Sequence, residues 1–328
     1  MALIGIIPVF GLNALSWVFL LGVAAGRPWL VLDQKTVMER FVPAVSLLYF
    51  ILAYAASIEL CSAGADGRSF KLKQTEDHLV ASLSTTPGAL FIMLFIQGIV
   101  QIASLGRGTD QRLVAAPMLA VHFMGGLFYT LQGSRTHCAL AARWAAGSGH
   151  TPMHYALWIS SVSSQMITLS HLEQGLERQS GDKRDGAQSS SVPRAAHRRC
   201  AVALLGVQGM LIFGGLGDAW HGPLLANCTC IFLSFLSFYV MLLTGIAQPL
   251  AACQRHVLST DTKAVADRYR KVSLYLILVY HVFPLVWALD NTGWLGDYEA
   301  RMGYTVADVL AKLLPPSIYI TMLAMPPP

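Results

Sequence analysis

The chain has 328 residues, of which 54% are hydrophobic and 12% charged, and its formal net charge is +5. The charged share is about half of that in soluble domains, which excludes a disordered chain and argues against an ordinary soluble enzyme. The mean hydropathy of +0.52 is typical of a polytopic helical membrane protein. The six cysteines form no CxxC pair, so neither a disulfide framework nor a metal site is predicted from them.

Nine apolar segments follow one another, each long enough to cross a bilayer as a helix. In chain order they are roughly 2–25, 41–63, 79–105, 113–134, 154–172, 200–218, 224–250, 272–290 and 303–325. The first segment lacks a basic start, so it is interpreted as a helix and not as a signal peptide. The fifth contains Ile159-Ser-Ser-Val-Ser-Ser-Gln165, and such a polar helix should face other helices.

The distribution of Lys and Arg predicts the orientation of these helices. With the N-terminus outside, 16 of the 23 basic residues lie inside, in the loops 26–40, 106–112, 173–199 and 251–271. Six more lie outside, in the loops 64–78, 135–153 and 291–302. This excess predicts an outside N-terminus and a cytoplasmic C-terminus. The polar loop 173–199 is predicted to be a flexible cytoplasmic linker.

Few charged residues lie within the predicted helices, and these are candidates for function, because a charge at the bilayer centre costs roughly 2.5–3.5 kcal/mol. Glu59 and Asp308 are the acidic ones, and Lys312 is the basic one. Asp308 and Lys312 are four residues apart, so they share one face of a helix. From the pair alone, a self-neutralising ion pair is the simpler interpretation. The alternative is a lysine that forms a Schiff base with a carbonyl ligand, beside its counterion.

An aromatic stripe accompanies a proline in the eighth segment, Tyr280-His-Val-Phe-Pro-Leu-Val-Trp287. Proline frees a backbone carbonyl and kinks a helix in mid-span. Tyr280, Phe283 and Trp287 recur at helical spacing and can therefore line one face. Such a stripe usually packs in a core, and here it could also flank a flat polyene.

These motifs resemble the microbial (type I) rhodopsin family, in which an aromatic-Pro-x-x-Trp helix precedes a last helix with Asp-x-x-x-Lys. Phe283-Pro-Leu-Val-Trp287 and Asp308-Val-Leu-Ala-Lys312 match both patterns in order. His154-Tyr-Ala-Leu-Trp158 is similar to the third-helix pattern Arg-Tyr-x-Asp/Glu-Trp. The resemblance implies an all-α polytopic membrane protein. Its seven-helix rhodopsin-like core would occupy 79–328, after two additional helices within 1–78.

The same resemblance implies a retinal site in which Lys312 carries retinal as a Schiff base and Asp308 is the counterion. The residues that would contact retinal are Trp158, Ser161, Tyr280, Phe283, Pro284 and Trp287. His154 replaces the family's arginine and is a candidate gate or proton acceptor. Leu157 stands at the family's primary counterion position and Thr168 at the proton-donor position of pumps. Outward proton pumping is therefore disfavoured.

Three functions remain open at this stage. The first is a retinal photoreceptor whose loops 173–199 and 251–271 present a conformational change to a separate cytoplasmic signalling partner. The second is a light-gated ion channel, in which the serine hydroxyls of the fifth segment line a polar path. The same hydroxyls could equally join this helix to its neighbours. The third is a chromophore-free transporter or assembly subunit, with Asp308 and Lys312 a structural pair.

No enzyme motif is present: the sequence has no HExxH, no GxSxG and no phosphate loop, so an enzyme is the least favoured class. The expected partners are the lipid bilayer, a second copy of the chain and the signalling partner. No nucleic acid is expected.

Overall fold

The computed structural model describes residues 74–104, 110–133, 152–181, 192–219, 224–256 and 263–313, with a few isolated residues between 18 and 51. All regular structure in these ranges is helical. In chain order the helices are α1 (Gln74–Ser104), α2 (Asp110–Gly133), α3 (Pro152–Gly181), α4 (Val192–Ala219), α5 (Leu224–Leu242), α6 (Gln248–His256), α7 (Lys263–Tyr280), α8 (Val282–Asn291) and α9 (Asp297–Asp308). One π-helical turn, Leu243–Ala247, joins α5 to α6, and another, Val309–Leu313, continues α9.

Within the described ranges these elements form seven helical rods. α5 and α6 make one rod, α7 and α8 make another, and α9 with its π-helical turn is the last. Among the described residues, three stretches are long and apolar enough by length and composition to cross a membrane: Ala195–Gly217, Leu224–Cys253 and Ala266–Asn291. The predicted all-α polytopic membrane fold is confirmed.

The helices extend past the apolar segments from which they were predicted. α3 continues to Gly181 and α4 begins at Val192, so much of the predicted flexible loop 173–199 is helical. The physical reason is charge pairing: Glu173 of α3 is buried and forms an ion pair with Arg199 of α4. A partner for a buried charge lets a helix continue where hydropathy alone predicts a loop. Similarly, α9 begins at Asp297, within the predicted outer loop.

The two predicted N-terminal helices lie almost entirely outside the described residues, and so does Glu59. The division of the chain at residue 78 therefore stays a prediction. One contact does connect the first predicted segment to the bundle: Arg198 Nε donates to the carbonyl oxygen of Ala24, at 3.0 Å. Leu20 is buried in the same core as the bundle residues. The end of the first predicted segment thus lies beside the start of α4.

Small residues set the distance between neighbouring helices, as they often do in membrane proteins. A Cβ atom on Gly206 of α4 would lie 2.8 Å from the backbone nitrogen of Met241 and 2.8 Å from the carbonyl oxygen of Ser237. On α2, a Cβ atom on Gly125 would lie 2.9 Å from the ring of Phe91. Helices α4 and α5, and helices α1 and α2, can pack this closely because these side chains are absent.

The rod formed by α7 and α8 is interrupted at His281. Pro284 explains the interruption, because it has no N–H to donate to the carbonyl four residues earlier, at Tyr280. Around the break, the amide of His281 instead bonds the carbonyl of Leu278 at 3.2 Å. The kink predicted from the sequence is therefore present, next to the aromatic residues of the candidate site.

Candidate functional site

Asp308 and Lys312 lie at the centre of the bundle. Asp308 is the last residue of α9, and Lys312 belongs to the π-helical turn that follows. Both side chains are fully buried and form an ion pair with each other. π-helical turns of this kind occur frequently at functional sites. The pair predicted from the i,i+4 spacing is therefore formed in the core.

Two further donors from other rods bind the Asp308 carboxylate. The Tyr129 hydroxyl of α2 donates to Oδ2 at 2.6 Å. The Trp158 indole Nε1 of α3 donates to both carboxylate oxygens, at 3.1 and 3.3 Å. A buried carboxylate is stable in its charged form only when paired and hydrogen-bonded in this way. Asp308 thus connects α2, α3 and the last rod at one point.

The backbone just before the lysine is also held by side chains. Gln165 of α3 donates through Nε2 to the carbonyl oxygen of Ala311 at 2.6 Å, and the Tyr280 hydroxyl donates to its Oε1 at 2.5 Å. The Tyr275 hydroxyl donates to the carbonyl oxygen of Leu310 at 2.9 Å. Helices α3 and α7 therefore fix the two peptide carbonyls that precede Lys312.

An apolar cavity adjoins this network. Together with the open space at its mouth, it encloses about 660 Å³. Its walls come from α3, α4, α5, α7, α8 and α9, and are formed by Tyr155, Trp158, Val162, Met210, Leu211, Gly214, Ser234, Phe235, Phe238, Met241, Tyr280, Phe283, Pro284, Trp287 and Tyr304.

Three wall residues connect the cavity to Lys312. Trp158 binds Asp308, Tyr280 binds Gln165, and the ring centre of Phe283 lies 6.0 Å from Lys312 Nζ. A buried amine at the edge of an aromatic cavity suits an apolar ligand with one reactive carbonyl group. The residues present therefore fit retinal, both in the lining of the cavity and in the position of the lysine.

Most of the residues predicted to contact retinal lie in this cavity wall. Trp158, Tyr280, Phe283, Pro284 and Trp287 all line it. Ser161 does not belong to the wall: it is buried, and its Oγ donates to the Leu157 carbonyl of its own helix at 2.6 Å.

His154 is buried in a layer of aromatic rings, next to Trp158. The ring centre of His154 lies 4.8 Å from that of Phe128, 5.7 Å from that of Trp158 and 6.2 Å from that of Tyr304. This position, one helical turn from Trp158, places it near the Asp308 network. Its role as a gate or proton acceptor stays a prediction.

Several hydroxyls of α3 are satisfied within their own helix. Ser164 Oγ donates to the carbonyl of Ser160 at 2.9 Å, and Thr168 Oγ1 donates to that of Ser164 at 3.0 Å. Together with Ser161, they form a row of bonds to carbonyls one turn back. These three hydroxyls donate within α3 and not to another helix, and the polar path stays a prediction.

The sequence-based prediction missed Tyr129, Gln165 and much of the cavity wall on α4 and α5. Gln165 carried a signal, since a lone amide in a membrane helix requires a partner. Tyr129 and the wall residues Met210, Gly214 and Met241 carried none, because aromatic and small apolar residues are ordinary in any membrane helix.

Comparison with known proteins identifies the family of the chain. A family model described as bacteriorhodopsin-like protein matches residues 82–315, which is well over half of the chain. The chain belongs to this family. Members of the family bind retinal. The predicted membership in the microbial rhodopsins is thus confirmed, and the protein is an integral membrane protein.

Solved structures of other microbial rhodopsins share the fold of this one. The transmembrane domain of the Salpingoeca rosetta rhodopsin phosphodiesterase is 13% identical, with a TM-score of 0.61 over 85% of this chain and 97% of that chain. Bromide-bound halorhodopsin from Halobacterium salinarum is 16% identical, with a TM-score of 0.56 over 76% and 95%. Thermophilic rhodopsin from Rubrobacter xylanophilus is 15% identical, with a TM-score of 0.55 over 74% and 94%. None of the curated proteins matches the sequence.

Proposed function

We propose that this rhodopsin is a non-enzymatic, retinal-binding membrane photoreceptor. Lys312 carries retinal as a Schiff base, Asp308 is the counterion, and the output is a conformational signal to a separate cytoplasmic partner. The observation that carries the proposal is the buried Lys312–Asp308 pair at the edge of an aromatic cavity. When bound, retinal would supply a light-driven change of shape. The chain's own residues stabilise the charge and transmit the movement.

The Asp308 carboxylate stabilises a positive charge on the Lys312 nitrogen within the membrane. Its carboxylate is already oriented by the Tyr129 hydroxyl and the Trp158 indole, so no reorganisation is required when the charge forms. Trp158 also lines the cavity, so the residue that positions the counterion touches the ligand space as well. This arrangement makes the charge pair sensitive to what occupies the cavity.

The route from the cavity to the predicted cytoplasmic loops runs through α7. Tyr275 and Tyr280 bind the backbone and the amide that hold the Lys312 turn, and Pro284 interrupts the rod beside the cavity. A displacement at Lys312 must therefore move α7 or break these bonds. α7 begins at Lys263, within the predicted inside loop 251–271, where a partner can detect the movement.

Proton pumping finds little support in α3. At the position of the family's primary counterion, Leu157 is buried and has no group to accept a proton. At the proton-donor position of pumps, the Thr168 hydroxyl is bonded to its own helix. Neither side chain can accept or donate a proton as a carboxyl group does in an outward pump.

The first experiment is to add all-trans retinal to the purified full chain. We expect a visible absorption band, and borohydride reduction should fix a retinyl group on the peptide that contains Lys312. Lys312→Ala should abolish the band. Because Lys312→Ala also leaves a buried charge unpaired, which destabilises strongly, the double variant Asp308→Asn/Lys312→Met provides a neutral, folded comparison.

Lys263→Ala is the matched control, because Lys263 is exposed at the start of α7. This variant should keep the band unchanged. A folded wild-type protein that gains no visible band with retinal would contradict the proposal. A retinyl group fixed to a lysine other than Lys312 would contradict the assigned site.

A further inference from the structure

One side of the rod formed by α7 and α8 is exposed and apolar. Leu274 and Leu278 of α7 and Leu285 of α8 are 45%, 72% and 58% exposed. They follow one another at spacings of four and seven residues, so they lie on one side of the rod. The opposite side of α7 packs in the core through Val272 and Leu276. In a membrane, the exposed side therefore faces lipid.

The exposed leucines cover the length of one lipid leaflet. Eleven positions separate Leu274 from Leu285, which corresponds to about 16 Å along a helix. Half of a hydrocarbon core about 30 Å thick is a similar length. An acyl chain that begins beside Leu274 would thus reach the middle of the bilayer near Leu285.

A basic pair lies where the headgroup of such a lipid would be. Arg270 and Lys271 are exposed, and they precede Leu274 by four and three positions, which places them on either side of the leucine stripe. Within the described part of the chain, neither forms an ion pair. The first nine residues of α7 contain four basic residues and one acidic residue, the half-buried Asp267. The start of α7 therefore attracts an anion.

Helices α4 and α5 lack this combination. The basic residues at the start of α4 are bound by protein groups, because Arg199 pairs with Glu173 and Arg198 donates to the backbone of the first predicted segment. The exposed Phe232 and Leu236 of α5 belong to a helix without charged residues. Of these three described helices, α7 is the one that joins an exposed apolar side to a basic pair outside any described ion pair.

We propose that this side of α7 binds an anionic phospholipid. Its phosphate lies between Arg270 and Lys271, and its acyl chain lies along Leu274, Leu278 and Leu285. Basic clusters directly beside a membrane helix attract anionic lipids in this way. In the predicted orientation, this end of α7 meets the cytoplasmic leaflet, which carries the anionic lipids.

The position of the site gives the lipid a route to the Lys312 turn. α7 also carries Tyr275, whose hydroxyl donates to the Leu310 carbonyl, and Tyr280, whose hydroxyl donates to Gln165. A headgroup bound at the start of α7 therefore connects this helix to the composition of the membrane. Binding of the lipid itself requires no retinal, so it can be tested separately from the proposed function.

The test is photocrosslinking of the purified full chain in phosphatidylcholine nanodiscs. A dilute probe lipid carries a diazirine on its acyl chain and either a phosphatidylglycerol or a phosphatidylcholine headgroup, and mass spectrometry locates the crosslinks. In the wild type, we expect the phosphatidylglycerol probe to be preferred along Leu274–Leu285, and no preference at Phe232 and Leu236 of α5. Arg270→Gln should lower the preference about 5-fold, the usual contribution of one basic residue near an anionic surface. Arg270→Gln/Lys271→Gln should abolish it.

Arg268→Gln is the matched control. Arg268 is another exposed arginine of α7, but it lies about 100° around the helix from the leucine stripe. This variant should keep the wild-type preference, and Arg270→Lys should keep most of it because the charge is retained. Since these residues are exposed, all the variants should keep the thermal midpoint of the wild type in nanodiscs of phosphatidylcholine.

Three outcomes would overturn the inference. The first is a wild type that shows the same headgroup preference on α7 and on α5. The second is an equal loss of preference in Arg268→Gln and Arg270→Gln, which would indicate diffuse attraction to surface charge instead of a site. The third is displacement of the probe by inorganic phosphate, which would show that the leucine stripe adds nothing. Each of these results leaves the visible band with retinal, and hence the proposed function, unaffected.

Discussion

Donors from α2, from α3 and from the π-helical turn converge on the two oxygens of Asp308. Each donor satisfies part of a charge that the membrane interior would otherwise disfavour. Of the hydrogen bonds that α2 and α3 donate to the Asp308 carboxylate, the one from Tyr129 is the shortest, at 2.6 Å. At this scale, the stability of the site and its ability to hold a positive charge depend on the same few bonds.

Tyr129→Phe tests this dependence. It removes the hydroxyl that donates to the charged Asp308 carboxylate, so the free energy of unfolding should fall by about 1.5–3 kcal/mol. The measurement is equilibrium unfolding of the retinal-free protein in mixed micelles. Tyr239→Phe, at a residue 55% exposed on α5, should change that free energy by less than about 0.5 kcal/mol. Equal effects of the two substitutions would contradict the assigned role of Tyr129.

The sequence predicted one half of this site and not the other. The Asp308–Lys312 pair was visible because four residues separate two charges in an apolar helix. Tyr129 and Trp158 reach Asp308 from 179 and 150 positions away along the chain. Nothing in the local sequence records which face of α2 meets the last rod, so their hydrogen bonds to Asp308 required the three-dimensional structure.

Among the described glycines, Gly206 of α4 comes closest to the backbone of a neighbouring helix, which is α5. The space beside Gly206 is closed by backbone atoms of Met241 and Ser237, which cannot rotate away as a flexible side chain can. The two helices carry the cavity residues Met210, Gly214 and Met241. Their separation therefore sets the width of the cavity.

Gly206→Ala should separate α4 from α5 and cost about 1–3 kcal/mol of unfolding free energy, the usual range for overpacking. Gly175→Ala is the matched control on α3, because a Cβ atom there meets nothing within 4 Å. That substitution should stabilise the protein by about 0.5–1 kcal/mol, through the helix preference of alanine. Thermal denaturation of both variants checks the opposite signs, and the same sign for both would contradict this packing.

Helix order and the kink at Pro284 could be predicted from hydropathy and from proline chemistry. The helix ends could not, because the extension of α3 depends on the ion pair between Glu173 and Arg199, which are 26 positions apart. The π-helical turns could not be predicted either, because the amino-acid composition of their residues does not differ from that of an ordinary helix. Elements whose limits depend on tertiary partners were therefore misplaced by several residues.

For the whole molecule, the proposed function predicts that light moves no charge across the membrane. α3 lacks titratable side chains at Leu157 and Thr168, and its hydroxyls at Ser161 and Ser164 are bonded within the helix. In voltage-clamped cells that contain the retinal-loaded protein, no photocurrent should appear at any holding voltage. A current that reverses with voltage would instead favour a light-gated channel, and one that does not reverse would favour a pump.

The predicted orientation in the membrane rests on the excess of basic residues in alternate loops. One residue in that sum, Arg301, was assigned to an outer loop but is buried within α9. Its removal from the outside total leaves the excess intact, so the orientation stays a prediction on the same grounds. The contact between Arg198 and Ala24 places these two residues on the same side of the bundle and does not distinguish the inside from the outside.

The π-helical turn at Val309–Leu313 has a mechanical consequence. The carbonyls of Leu310 and Ala311 are bonded by side chains that belong to α7 and α3. The segment that holds the lysine is thus supported at two points, by Tyr275 of α7 and by Gln165 of α3. A torque on the lysine is therefore carried in part by these two side-chain hydrogen bonds, which can break and form again. The turn can therefore rotate when the lysine is displaced and return to its starting conformation when these hydrogen bonds form again.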